Sequence, residues 1–570
     1  MQANLPESWD IEVDVVSLGS GIGGLSAAIT ASELGGTAVV LERSPMVGGV
    51  TALSMGEVWV VANQLASELG MPDSVEAGFR YLERLSMGYG NDLSILNLVV
   101  HAREALRYFE RTIGLRMRVI DDCPDYYYGH CEHAVAAGRM IEPVPFAAQA
   151  LGDWQHRTRL SPQMPYGMTH ADISAGGGAA NMINWDFNLM GDRLARDERC
   201  LGPGLAAYFV KGALDRGIEL LTDTSAEELL TDGERIVGVR ASRDGRDFFV
   251  RARRGVVVAV SSYERRQDYN RTLGQKLDLG SMVFSSIDGS NFRLAGPHGA
   301  RIATVPDITT LGFVVPGEED EEGSPLWRNA LLPLGLPHTL VVNRQGRRFG
   351  NEAFYRQFNY RVDAIDGSAQ THPNFPCWLV FDSQAKDKYP IGAITPDQRW
   401  PAGFGCVADS VAELAQKLGV DADALAHTIA TFNDYAAAGV DDDFGRGTHP
   451  WSAWMCGDPN NTPNPNLGPL VKPPFYAIEL RRIGGTAIPS AGLLTDTDSR
   501  VMGWDDKPIA GLYAAGNSVA RMETGAVMQS GISNARGMTY GWLAARHALG
   551  KPSELLAREA RRLELGGAQS

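Results

Sequence analysis

Three glycines, Gly19, Gly21 and Gly24, stand between two short runs that have the composition of β-strands, and no other segment constrains the fold as strongly. Residues 12–16 are β-branched and mostly apolar. Leu25 to Leu34 is small and apolar at helical spacing and ends at Gly35-Gly36, and Ala38-Val-Val-Leu-Glu42 reads as a second strand. Strand, glycine turn, helix and strand within about 30 residues make a βαβ unit, whose two strands lie parallel.

In such a unit the first glycine permits the tight turn, the second lets the backbone approach a pyrophosphate, and the third lets helix pack on strand. The helix N-terminus adds a favourable field for the negative charge. Glu42 ends the second strand, where a carboxylate can accept hydrogen bonds from a ribose. Gly48-Gly49-Val-Thr51 offers another glycine-rich loop suited to the same ligand. These residues point to a dinucleotide site.

Almost five hundred residues later, Gly511-Leu-Tyr-Ala-Ala-Gly516-Asn517 has the composition of one more strand and turn of the same kind. At 570 residues the chain exceeds what one core usually supports, roughly 250–300 residues. The expected architecture is therefore α/β, a discontinuous Rossmann-like nucleotide-binding domain with an inserted α+β catalytic domain. A helical stretch that follows Leu201-Gly-Pro-Gly204 and runs to Arg216, and the strands Ile218–Ser225, Ile236–Arg240 and Arg254–Val260, extend the first part, taken as residues 1–284. Residues 285–470 are rich in Pro, Gly and Asp and form the insert. Residues 471–570 return to strands from Pro474-Phe-Tyr476 and close with a helix over Ala535–Leu549.

A net charge of −16 argues against a nucleic-acid partner, which requires a basic face. Met1–Asp10 has neither the positive start nor the apolar run of a secretory signal, and the longest apolar runs, such as Val256–Val260, are strand-length, so a cytoplasmic protein without a transmembrane segment is expected. The six cysteines form no close pair, which argues against a metal site or a dithiol redox centre.

With these pieces in order, the chain resembles the fumarate reductase and succinate dehydrogenase flavoprotein superfamily, and within it the 3-ketosteroid dehydrogenase branch. The resemblance rests on the glycine turn, Gly48-Gly49-Val-Thr51, Pro124-Asp-Tyr126-Tyr127, the run from Asn343 through Arg347-Arg348-Phe349-Gly-Asn351-Glu352, and Gly511–Asn517. It implies FAD, held by Gly19, Gly21, Gly24, Glu42, Gly48, Gly49, Thr51, Ala226, Gly516, Asn517 and Ser533. It also implies hydride transfer between a substrate carbon–carbon bond and flavin N5. Asn517 stands where many fumarate reductases carry Glu, as it does in steroid dehydrogenases. The loop from Thr51 to Gly56 lacks the His that attaches flavin in the succinate dehydrogenases, so noncovalent FAD is expected.

Taking hydrogens from both carbons beside a ketone requires a base at Cα, a hydride acceptor at Cβ and donors at the carbonyl. The resemblance places one tyrosine of the site at Tyr126, with Tyr127 and Tyr128 as neighbouring alternatives. After Asn351-Glu352, an ungapped count puts Arg356 at the proton-transfer position, whereas one deletion puts Tyr355 there. An arginine is a poor base, so Tyr355 is favoured and Arg356 is read as packing or as a surface ion pair. The carbonyl-binding tyrosine of the family falls on Val527, which cannot donate, leaving the Gly531 amide as the carbonyl donor. Arg481, Arg482, Arg521, His130 and His133 are weaker candidates, each more simply read as a salt bridge or surface polarity.

The leading expectation is an FAD-dependent dehydrogenase that desaturates a steroid or smaller cyclic ketone and passes electrons to a separate, unidentified acceptor. An ene-reductase running the same chemistry backwards, and a flavin-binding protein whose substrate site has decayed, are the rivals.

Overall fold

The computed structural model describes residues 5–563 apart from 164, 275, 278, 307–309 and 485–488, and apart from the side chain of Tyr355. Its larger sheet is built around the expected βαβ unit. Ile11–Leu18 pairs in parallel with Ala38–Leu41 on one side and with Arg246–Val258 on the other. Glu219–Leu221 extends one flank in parallel. The returning strand Pro508–Ala514 joins the other flank, parallel to Arg246–Val258, and Arg500–Met502 runs antiparallel at its edge. Thr224–Asp232 and Arg235–Arg243 form an antiparallel extension of Arg246–Val258.

The first and last helices explain how the distant segments meet. Ile22–Glu33 and Ile532–Ala548 pack face to face, and a Cβ built on Gly541 would lie 2.1 Å from the Gly23 carbonyl oxygen. Only a glycine allows this approach. The Ala515 amide also bonds the Val258 carbonyl at 3.0 Å, so Gly516 and Asn517 emerge beside the glycine turn.

The second sheet has the order Pro325–Asn329, Thr310–Glu319, Phe475–Gly484, Cys377–Asp382, Thr339–Asn343, with antiparallel neighbours. One apolar cluster covers one side of it, including Phe313, Val341, Leu379 and Ile478. Another joins Leu340, Val342, Val380 and Ala477 to the helices Val411–Leu418 and Ala422–Ala438. Helices and antiparallel strands together match the expected α+β insert.

One boundary moves. Phe475–Gly484, placed by sequence in the returning segment 471–570, is the central strand of the second sheet, and Gly280–Ser281, placed before the insert, pairs with it as well. The chain returns to the first sheet after residue 484. The strand is buried along most of its length because sheet neighbours flank both edges and apolar clusters cover both faces. Such a run reads as a core strand without saying of which sheet.

Candidate active site

A cleft of about 660 Å³ runs from the glycine turn to the second sheet and its connecting segments. Gly19, Gly21, Glu42, Gly49, Thr51, Ala226, Gly516, Asn517, Gly531 and Ser533 all line it. Gly24 and Gly48 lie behind this surface. A Cβ on Gly24 would sit 1.9 Å from the Gly19 carbonyl oxygen, whereas one on Gly21 would meet only Thr51 Oγ1, at 3.7 Å, and would project into the cleft. Gly24 therefore serves the turn, and Gly21 leaves room for a ligand.

Several expected contacts also carry structural duties. Thr51 Oγ1 accepts the Ile22 amide at 3.0 Å, capping the first helix from another loop. Glu42 Oε2 accepts both the amide and the hydroxyl of Ser20, at 3.0 and 2.6 Å, and Oε1 accepts the Ser44 amide at 2.9 Å. This fixes the carboxylate at the strand end, where it faces the cleft. Asn517 Oδ1 accepts the Ser533 hydroxyl at 3.0 Å. A glycine-walled cradle at one helix N-terminus, a fixed acidic acceptor and a second helix N-terminus at Gly531 fit a bound dinucleotide such as FAD.

Of the three consecutive tyrosines only Tyr126 lines the cleft. Its ring lies 4.4 Å from the Trp451 ring, Tyr127 packs edge-on against Phe354, and Tyr128 is exposed. Burial raises the Tyr127 hydroxyl well above its usual range, which suits packing rather than proton transfer. Gln529 fixes the Tyr126 backbone: its Oε1 accepts the Tyr126 amide at 2.9 Å and the Tyr81 hydroxyl at 2.6 Å.

Tyr355 opens the helix Tyr355–Val362, and its side chain lies outside the described part of the structure. Arg356 is not a surface ion pair. It is 1% exposed, outside the cleft lining, with its guanidinium 5.5 Å from the centre of the Tyr126 ring. Val527 is buried behind the lining, and Arg521 Nη1 donates to its carbonyl at 3.2 Å. Arg481 pairs with Glu479 at the surface, and Arg482 with Asp363, its guanidinium 4.0 Å from the Phe375 ring centre. His130 stacks on His449, and His133 is exposed. None of these lines the cleft.

Glu57 and Ser530 are lining residues that the sequence reading did not single out. Glu57 is buried, and its carboxylate accepts the Ser530 hydroxyl. The sequence signal was slender: one acidic residue leading into the apolar run Val58–Val61. Burial pushes the Glu57 carboxyl above the ordinary range, and Glu142 adds to the rise against the opposing effects of His170 and Ser530. The wall beyond is apolar, with Met182, Trp185, Leu331, Leu332 and Met455. Among the described residues no cluster suits a metal ion, and no helix is long and apolar enough to cross a membrane. All six cysteines are free thiols.

A cradle of this construction, closed by a strand from the far end of the chain and opening onto an apolar wall, defines an FAD-dependent oxidoreductase. The chain belongs to the FAD binding domain family, which matches residues 14–533. It is 31% identical to a 4-oxocyclohexanecarboxylate 2-dehydrogenase from Sinomonas cyclohexanicum, over 94% of this chain and 93% of that one. It is 30% identical to a 3-oxosteroid 1-dehydrogenase from Mycolicibacterium smegmatis, over 94% and 96% respectively. The crystal structure of 3-ketosteroid delta1-dehydrogenase from Sterolibacterium denitrificans, in complex with 1,4-androstadiene-3,17-dione, superposes with a TM-score of 0.87 at 29% identity, covering 95% of this chain and 99% of the other.

Proposed function

We propose that this protein introduces a carbon–carbon double bond next to the carbonyl of a neutral cyclic ketone, a 3-ketosteroid or a smaller ring. The observation that carries this reading is the cleft itself, which joins the dinucleotide cradle to a wall of Met182, Trp185, Leu331, Leu332, Met455 and Tyr126 without a change of cavity. A wall of that chemistry suits an uncharged ring, and the arginines that also line the cleft, Arg43, Arg159 and Arg328, are each paired with a carboxylate of the protein, Asp288, Glu321 and Glu318.

Bound FAD supplies the hydride acceptor. The protein's part begins with the carbonyl oxygen, held by the Gly531 amide at the start of the closing helix, where the helix field favours the negative charge of an enolate. Tyr355 takes the α-proton as the base. Tyr126, its backbone held by Gln529 and its ring braced by Trp451, forms the wall against which the ring lies. Arg356 supports Tyr126 from behind. The large sheet and the closing helix form the cofactor half, and the sheet spanning residues 280–484 caps the substrate. Electrons then pass to a separate acceptor, and the free thiols suit a reducing compartment such as the cytoplasm.

The test is anaerobic mixing of oxidised holoenzyme with cyclic ketones, followed through flavin absorbance. Bleaching by ketones supports the reading. Reoxidation of prereduced flavin by enones alone points to the reverse reaction, and no response to either overturns both.

A further inference from the structure

We propose that Ser530, backed by Glu57, supplies the hydroxyl that binds the carbonyl oxygen in this site, beside the Gly531 amide. The proposal rests on the desaturation reading above and adds the group that stands in for the donor missing at Val527.

Three observations carry it. Ser530 immediately precedes Gly531, and both line the cleft. A hydroxyl here reaches the same space as the first amides of the helix Ile532–Ala548, whose N-terminus has no side-chain cap among the described residues. Second, Glu57 also lines the cleft, and the serine hydroxyl rests on its Oε2. Third, Glu57 is fixed from several sides. The Asn534 amide group donates to its backbone carbonyl at 2.9 Å, and His170 Nε2 lies 3.5 Å from Oε1. The same Nε2 is 3.1 Å from the Met55 carbonyl, which can only accept, so this nitrogen carries a hydrogen.

Chemistry decides the direction of the hydrogen bonds. An ionised Glu57 accepts the serine hydrogen and turns it away from a substrate. A neutral Glu57 has one hydrogen of its own, and by donating it to Ser530 Oγ it frees the serine hydrogen for a carbonyl oxygen. A buried carboxylic acid held neutral acts as a donor in this way. No proton changes owner: the chain acid, serine, substrate oxygen strengthens as the oxygen gains charge while the α-proton leaves for the base. Ser530 touches the substrate, and Glu57 is a positioning residue. The groups facing Glu57 are His170 and Ser530, with Glu142 and Cys123 behind. Glu142 is itself paired with Arg118 at 2.8 Å and accepts the His170 amide at 2.6 Å.

The experiment uses the FAD-loaded full chain and a para-alkyl phenol, whose oxygen on a planar ring imitates an enolate, with affinity read by calorimetry. Ser530→Ala weakens binding about tenfold, the loss of one buried hydrogen bond, and Ser530→Thr restores it. Wild-type affinity falls as pH rises and Glu57 ionises. Glu57→Gln, whose amide donates to Ser530 at any pH, loses that dependence. Equal affinity in wild type and Ser530→Ala, or an unchanged pH dependence in Glu57→Gln, overturns the proposal. Flavin bleaching by ketones in an enzyme that binds no phenol overturns it too, while leaving the desaturation reading intact. Phenol binding with no bleaching by any ketone instead sinks the desaturation reading.

Discussion

The guanidinium of Arg356 lies 5.5 Å from the centre of the Tyr126 ring, and the two residues come from segments 230 positions apart. This pairing suits the supporting role proposed for Arg356. A cation against an aromatic face contributes about 0.5–2 kcal/mol. Replacing Arg356 with Lys keeps the charge and loses the guanidinium contact, so flavin reduction by a cyclic ketone slows by no more than about thirtyfold. Tyr355→Phe, which removes the proposed base, slows it by about 10²–10⁴-fold. Stopped-flow absorbance under anaerobic conditions compares the two. The reverse ranking would place the proton on the arginine side.

The two inner glycines of the turn separate folding from binding. Gly24→Ala forces a methyl into the Gly19 carbonyl oxygen, so the apoprotein loses about 1–3 kcal/mol and unfolds at lower temperature. In Gly21→Ala the backbone, at φ −71°, accepts an alanine, and the added methyl has space. That methyl occupies the path of the pyrophosphate. FAD affinity falls at least tenfold while the apoprotein's melting temperature stays within a degree or two. Fluorescence titration of FAD and thermal scans of both apoproteins check this pair.

Gln529 joins two tyrosines through a single oxygen, and its loss exposes both. In Gln529→Leu the buried Tyr81 hydroxyl and the Tyr126 amide each lose their acceptor, at about 1–3 kcal/mol apiece. The urea midpoint falls, and the loop bearing Tyr126 loosens, so KM for a ketone rises more than kcat falls. A variant with normal stability and an unchanged KM would show that Tyr126 is positioned without Gln529.

The sequence made the cofactor half legible because its signals are local. A glycine turn between strand and helix carries its own geometry, whereas the close helix pair through Gly23, Gly537 and Gly541 emerges only in the structure. Sheet membership is not local. Phe475–Gly484 has the apolar composition of any core strand, and only its partners, Thr310–Glu319 and Cys377–Asp382, assign it to the second sheet. The site divides in the same way. Tyr126 was singled out by its motif. Glu57 was not, since a lone acid before a strand usually faces water, and its burial depends on His170 and Ser530 arriving from elsewhere in the chain.

Glu352, at the end of the Asn351-Glu352 pair, is fully buried and clamped by two arginines. Arg348 binds both carboxylate oxygens at 2.8 Å, Arg446 approaches at 3.3 Å, and Asp441 shares Arg348 at 2.8 Å. Burial alone would raise both carboxyl groups, but the guanidinium partners outweigh it and hold Glu352 and Asp441 below the ordinary carboxylate range. A carboxyl lowered in the folded state contributes stability above its unfolded pKa of about 4, and that contribution is lost as pH falls through the lowered folded value. Glu352→Ala leaves the Arg446 charge buried with a partner missing, and destabilises the protein by about 3–5 kcal/mol at pH 7. Urea unfolding at a series of pH values should show the gap between wild type and Glu352→Gln narrowing steadily below pH 4, as the wild-type carboxyls protonate. A gap that is constant with pH would mean that Glu352 contributes by shape rather than by charge.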